Sequence, residues 1–399
     1  MENINDKLLL EILTSGCDER VFIHQKTNAN KYHLNPLKFD KLLHRGSCTC
    51  GTLTADAYKV GLEFLKNYED SEYENILENQ TNRLKAMLID ESIDFEVFYG
   101  PSGSDLMYLP LLFQSIIDPN KKIINIVSCP EELGSGSKAA AEGLYFSEWS
   151  QYGKPLPIGE NVSEKINSEV FYLPARNENG NIVDRNQAIR DLIKKFPEQL
   201  IIGNLVFGSK SGIKDDLAII DEFKEGIMWV VDMCQFRTDR KLIYELISKG
   251  AMISITGSKF YQAPPFCGAL LVPKCWSEKI KDKDASILET YNSLFTSYDY
   301  PLEFKKMRKN LPEFKNIGLR LRWEIALCEM ESFLVFPQEK SNALIRRWNQ
   351  VVIGRLAQSD LFRLMPDIEL TNDSIISFMV LKNGVALNNK ELKILFDYL

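Results

Sequence analysis

Apolar and polar positions along this chain alternate between two periods, and the switch between them repeats. Short runs rich in β-branched and aromatic residues predict strands: Phe95-Glu96-Val97-Phe98-Tyr99, Lys122–Val127, Glu169–Leu173, Leu200–Phe207, Met228-Trp229-Val230-Val231-Asp232, Met252–Thr256 and Gly268–Val272. Stretches with helical spacing lie around and between them, at 54–68, 72–90, Asp105–Ile117, Ser137–Tyr145, Asp184–Lys195, Leu217–Phe223 and Asp239–Lys249. An amphipathic helix over residues 3–13 precedes them all. Residues 151–166, with Gly and Pro every few positions, predict an exposed loop. Repeated strand–helix units of this length predict an α/β fold with a mostly parallel sheet, and such sheets gather ligands at the carboxyl ends of their strands.

Beyond residue 300 the pattern becomes mainly helical, at Leu302–Asn310, Asn316–Phe333 and Glu339–Leu356, with a strand at Ser374–Val380. This divides the chain into an N-terminal segment (1–50), a large domain (51–300) and a smaller α+β domain (301–399). The strand at 374–380 has an apolar face that needs paired neighbours on both sides or a covering helix. The expectation is a domain that is incomplete, its closing strands absent, or unusual there.

Composition narrows the function. A net charge of -7 argues against a broad nucleic-acid surface, and no apolar run is long enough to span a bilayer. The acidic, amphipathic opening does not resemble a secretory signal. Eight scattered cysteines are expected to be reduced thiols of a cytoplasmic protein; Cys48 and Cys50, one residue apart, have the wrong spacing for a zinc or redox pair. The three histidines, His24, His33 and His44, all lie near the N-terminus, which excludes a mid-chain histidine mechanism or a histidine-rich metal site. No metal site is expected.

The chemistry concentrates in VVDMCQF…MISITGSKFY. Asp232 ends one buried strand, and Lys259 follows the next strand by three residues. One crossover separates them, so both can face one cleft. They form either an ion pair at the sheet end or a cofactor pair, a carboxylate for a pyridine nitrogen and an amine for an aldehyde. The loop Gly100-Pro101-Ser102-Gly103-Ser104, between a strand and a helix start, is either an ordinary capped turn or a phosphate cradle. It matches neither the Walker nor the dinucleotide fingerprint. A phosphate loop, a later aspartate and a lysine after a crossover are the three contacts that pyridoxal 5'-phosphate (PLP) needs.

These segments resemble the class V aminotransferase group, which includes cysteine desulfurases and kynureninases. The resemblance rests on Asp232 and Gln235 (Asp-x-x-Gln), on Thr256-Gly257-Ser258-Lys259, and on the turn and strand that follow, QAPPFCGALLVP. The opening SGCDERVFIHQKTNANKYHLNP is similar to that group's N-terminal lead-in. The resemblance implies the aminotransferase-like fold (PLP fold type I), PLP as cofactor, a Schiff base at Lys259, and an amino acid as substrate in an aminotransferase or lyase reaction. It also implies that Asp232 meets the ring nitrogen and Gln235 the ring hydroxyl. Thr256, Ser258, Ser102, Gly103 and Ser104 would hold the phosphate. A homodimer is expected as well, its arm carrying Leu8, Leu9, Leu10, Ile12 and Leu13.

Three departures accompany the likeness. Where the group stacks a ring on the cofactor, this chain has Ser128–Gly136, with Glu132 or Leu133 nearest. Where it places an asparagine, Ser209 or Lys210 must substitute. The carboxylate-binding arginine of the group lies beyond the strand that 374–380 resembles, so Arg45 is a candidate clamp, although an arginine on a solvated loop is the alternative. Arg320-Leu321-Arg322-Trp323 predict helix surface, Cys234 and Cys267 buried inert thiols, and Glu131 and Glu132 either an acid/base pair or a solvated turn. Two other functions remain open: a catalytically silent homologue acting as a binding or scaffold subunit, and a nucleotide-binding α/β enzyme using the loop at 100–104.

Overall fold

The structure, a computed structural model, describes residues 4–38, 51–88, 93–178, 180–236, 240–365 and 375–398. Seven strands form the main sheet: β1 (Phe95–Gly100), β2 (Ile123–Ser128), β3 (Ser168–Leu173), β4 (Leu200–Val206), β5 (Ile227–Asp232), β6 (Met252–Thr256) and β7 (Gly268–Pro273). Their order is β1-β7-β6-β5-β4-β2-β3. β3, β2, β4, β5 and β6 pair in parallel, and β7 runs antiparallel to both β6 and β1. The expected α/β class, with a mostly parallel sheet, is the fold of this chain.

Six of the seven strands are almost wholly buried, so they are written as continuous apolar runs. Alternate residues serve opposite faces. Tyr99, Trp229, Val231, Ile253 and Leu271 pack with the helices Tyr73–Leu88, Arg240–Ser248 and Ile317–Leu334 in one core; Phe98, Met228, Val230, Met252 and Leu270 pack with the helix Tyr108–Ile117 in the other. The helix Ile4–Leu13 lies against Ile317–Leu334 and buries Leu9 and Leu13 completely. The arm therefore packs on the body through Leu9 and Leu13, with Leu10 and Ile12 half-buried and Leu8 exposed.

Three readings of the C-terminal part differ in the structure. The strand there is β9 (Phe378–Lys382), the centre of a three-stranded antiparallel sheet between β8 (Phe362–Leu364) and β10 (Val385–Ala386). Its edges are therefore paired within the chain. β8 and β10 have three and two residues, too short to show a period. In addition, Arg320 and Arg322 are not on a helix surface: they are 1% and 0% exposed, inside the helix Ile317–Leu334, which is covered on most of its circumference. The helix expected at Leu302–Asn310 is a single turn, Lys305–Arg308.

At the sheet centre, Gly203 on β4 pairs with Trp229 on β5, and a Cβ on Gly203 would lie 2.3 Å from the indole ring. Gly203→Ala must push the ring from a packed core and is expected to destabilise the protein by roughly 1–3 kcal/mol. Denaturant unfolding measures this; an unchanged midpoint would show that the ring yields freely.

Candidate functional site

The antiparallel β7 sets the site. Gly268 at its start pairs with Gly100 at the end of β1 on one side and with Thr256 at the end of β6 on the other. The loops leaving β1 and β6 therefore emerge side by side. β5 ends next to them, with Asp232 opposite Ser254. A Cβ on Gly268 would stand 2.8 Å from the Ser102 carbonyl oxygen, so only glycine lets the 101–105 loop lie this close.

Ser102, Gly103, Ser104, Asp232, Gln235, Thr256, Ser258 and Lys259 are brought to this one edge. The Cys234 thiol ties them together. It is within electrostatic reach of both Asp232 and Lys259, and a Cβ on Gly103 would meet its sulfur at 2.9 Å and the Thr256 methyl at 3.3 Å. Burial, with Asp232 beside it, pushes this thiol well above its usual range, and burial lifts Cys267 to about 12. Both are thus held as inert thiols. Asp232 is half-buried, and one of its oxygens accepts the Cys234 N–H at 2.8 Å. Lys259 is half-buried at the top of a turn in which Gln262 N–H donates to its carbonyl. Among the described residues neither Asp232 nor Lys259 joins any ion pair, with each other or elsewhere. The reading as a structural sheet-end ion pair is not what the structure contains.

The phosphate-loop candidates separate into two groups. The Ser102 hydroxyl donates to Asp105 Oδ2 (2.7 Å), and its N–H donates to the same oxygen (2.8 Å). The Thr256 hydroxyl donates to the Cys234 carbonyl (2.8 Å). Both residues have thus committed their protons to the protein. The Gly103 and Ser104 N–H groups make no hydrogen bond among the described residues. Ser258 Oγ, in a residue 1% exposed, lies beside the Cys267 thiol and has no partner in hydrogen-bond geometry. Unpaired donors around a cradle that a Cβ would fill fit a phosphate group. The residues present therefore fit PLP.

The two loop departures turn out to be one feature. Glu132 takes the Ser209 hydroxyl (2.7 Å), the Ser211 N–H (3.0 Å) and the Ser211 hydroxyl (2.8 Å), while Lys210 Nζ donates to the Leu133 carbonyl. The loop after β2 and the loop after β4 are laced to each other, and Ser377 Oγ, from the C-terminal part, adds a bond to the Ser211 carbonyl (3.1 Å). Glu131 accepts the Ala175 N–H (2.6 Å). The two glutamates therefore brace loops separately and do not form an acid/base pair. Arg45 lies outside the described residues. Arg322 is committed to the carbonyls of Phe266, Leu13, Ser15 and Gly16, and burial lowers its proton affinity.

The residue that the sequence did not reveal is Arg20. It binds Asp18 through Nε (2.7 Å) and Nη2 (2.6 Å), and the same Nη2 donates to Ser102 Oγ (2.9 Å). Its guanidinium carbon lies 4.3 Å from the Phe266 ring centre and 5.3 Å from that of Phe146. Burial alone would push the Asp18 carboxyl up, but Arg20 outweighs it and holds Asp18 below the usual range. Removing one partner from a buried pair of this kind costs about 3–5 kcal/mol. The only sequence signal was Asp18-Glu19-Arg20 inside a lead-in already likened to the family.

No family profile matches the chain, and no curated protein is recognisably related to it in sequence. Solved structures are similar in fold. A phosphoserine aminotransferase from Cytophaga hutchinsonii superposes with a TM-score of 0.53 at 15% identity, over 88% of this chain and 87% of that one. A ureidoglycine–glyoxylate aminotransferase from Bacillus subtilis gives 0.54 at 12%, over 89% and 82%. A cysteine desulfurase from Thermococcus onnurineus gives 0.54 at 14%, over 87% and 80%. The chain has the aminotransferase-like fold of these structures, over most of its length. Among the described residues no helix is long and apolar enough to cross a membrane.

Asp105 supplies a prediction. Burial pushes its carboxyl up to about 7; hydrogen bonds from Ser102 oppose this, Asp18 adds to it and Arg20 counters it. An acid held above its unfolded value binds more protons when folded. Stability is thus lost as pH rises from about 4 to 7, by up to roughly 4 kcal/mol. Asp105→Asn keeps an acceptor for Ser102 without the charge, so its thermal midpoint should fall less than that of the wild type between acid and neutral pH. Parallel curves would show that Asp105 is ionised throughout.

Proposed function

We propose that this chain is a PLP-dependent enzyme acting on an amino acid, as an aminotransferase or lyase, with Lys259 as the residue that carries the cofactor. The observation behind this reading is that, among the described residues, Lys259 and Asp232 lie on neighbouring strand ends without an ion pair, beside a loop whose Gly103 and Ser104 N–H groups make no hydrogen bond. A structural ion pair explains none of these. When bound, PLP supplies an aldehyde and an electron-poor ring that stabilises charge left on the substrate Cα.

The protein's contribution follows from its own groups. The Gly103 and Ser104 N–H groups and the Ser258 hydroxyl would donate to the phosphate. Ser102 and Thr256, their protons already committed, shape the cup. The Asp232 carboxylate would hold a proton on the ring nitrogen, and the buried Gln235 would bond the ring hydroxyl. Lys259 would carry the cofactor, and its Nζ would accept and return the proton at the substrate Cα. The braced loop carrying Glu132 would border the cofactor where the resemblance expects a stacked ring.

Borohydride reduction followed by peptide mapping tests the assignment. The expected result is a visible absorbance band that is bleached, with a pyridoxyl group on Lys259. Labelling of another lysine, such as Lys210, would sink it, and a colourless protein with no affinity for PLP would leave the scaffold reading in its place. Asp232→Ala should keep some cofactor and lose nearly all turnover; full activity in that variant would contradict the role given to Asp232.

A further inference from the structure

Residues 17–35 lie outside the sheet, yet they reach the loop that follows β1. Cys17 Sγ approaches the Pro101 carbonyl (3.9 Å), Arg20 bonds Ser102, and Tyr32 meets the Phe266 ring edge-on with ring centres 6.2 Å apart. The bonds form one line: Asp18 to Arg20, Arg20 to Ser102, Ser102 to Asp105. Ser102 Oγ accepts from Arg20 and donates to Asp105, so its rotation is fixed from both sides. Every member of the line is at least nine-tenths buried.

The charges along it have a consequence for any anion on the loop. Asp18 is a buried carboxylate, Asp105 a buried carboxyl that burial holds partly protonated near neutral pH, and Arg20 is the cation that bonds within the line. Without the guanidinium, the loop would offer a phosphate the uncompensated charge of Asp18 and a Ser102 held only by Asp105. Lysine cannot replace it fully, because a point charge does not span both Asp18 oxygens and Ser102 Oγ together.

We propose that the N-terminal segment is a working wall of the phosphate cup, with Arg20 as the positioning residue that holds Ser102 and the 101–105 loop in their binding geometry. Docking of residues 17–35 and occupation of the cup by a phosphate group are then linked, each strengthening the other. The inference rests on the reading of this loop as a phosphate cradle, and it adds an element that lies far away in sequence.

The test compares three ligands, PLP, pyridoxal and inorganic phosphate, on the full chain and on two variants. Arg20→Lys keeps the charge. Ser102→Ala leaves the Asp18–Arg20 pair whole, so it provides a folded variant if Arg20→Lys is unstable. Both should weaken PLP and inorganic phosphate by about tenfold while changing pyridoxal, which lacks the phosphate, by less than about twofold. Phosphate should also protect the exposed Lys26 and Lys31 from trypsin in the wild type and not in Ser102→Ala. Equal losses for PLP and pyridoxal, or no loss at all, would overturn the proposal. PLP bound at Lys259 with indifferent variants would do so while leaving the proposed function standing. Arg20-dependent binding of inorganic phosphate without PLP would support the cup and remove the proposed function. A wild type that binds none of the three would remove both.

Discussion

The reversed direction of β7 is the constraint on which the site depends. In a wholly parallel sheet, β6 would be followed by a crossover, and the β1 and β6 loops would be separated by another strand's loop. With β7 antiparallel to both neighbours, Gly268 marks where two parallel strands end on either side of it. The close approach of Gly268 to Ser102, and of Gly103 to Cys234 and Thr256, follows from that register. Glycine at these places is a packing requirement of loops forced together by the sheet.

Two buried arginines then fasten the N-terminal part to this edge by different physics. Arg20 is neutralised by a carboxylate and acts on Ser102. Arg322 has no carboxylate within bonding distance among the described residues and is satisfied by four backbone carbonyls, three of them at residues 13–16 and one at Phe266. The bidentate reach of guanidinium makes both connections possible, because one planar group answers several acceptors in a fixed geometry. The arm, the helix Ile317–Leu334 and the turn after Lys259 are consequently one packed unit.

The face of the site on the β2 and β4 side is built differently from that of the group it resembles. The segment expected to hold a ring carries Glu132 and Leu133, and the segment expected to hold an asparagine carries Ser209 and Lys210. They are each other's partners. A loop with three hydrogen bonds to one carboxylate is held by polar geometry where an aromatic ring would hold it by area, and the bond from Ser377 extends the brace into the C-terminal sheet.

Much of this was determined locally. Strands buried on both faces must be written as apolar runs, so β1, β2, β4, β5, β6 and β7 were visible to within a residue or two, and Asp232 and Lys259 stood out as polar residues at their ends. Other features depend on neighbours that a local pattern does not contain. β8 and β10 are too short for a period. Arg320 and Arg322 are charged residues on a helix, which a local reading places at its surface, and only the elements packed around them make them interior. The bond from Arg20 to Ser102 joins residues 82 positions apart, and nothing local to either marks the other. Local sequence sets which segments are apolar and which turns carry glycine, because those costs are borne within a few residues. Which polar groups meet, and so which loop is braced and which cup is formed, is decided only when the sheet has assembled.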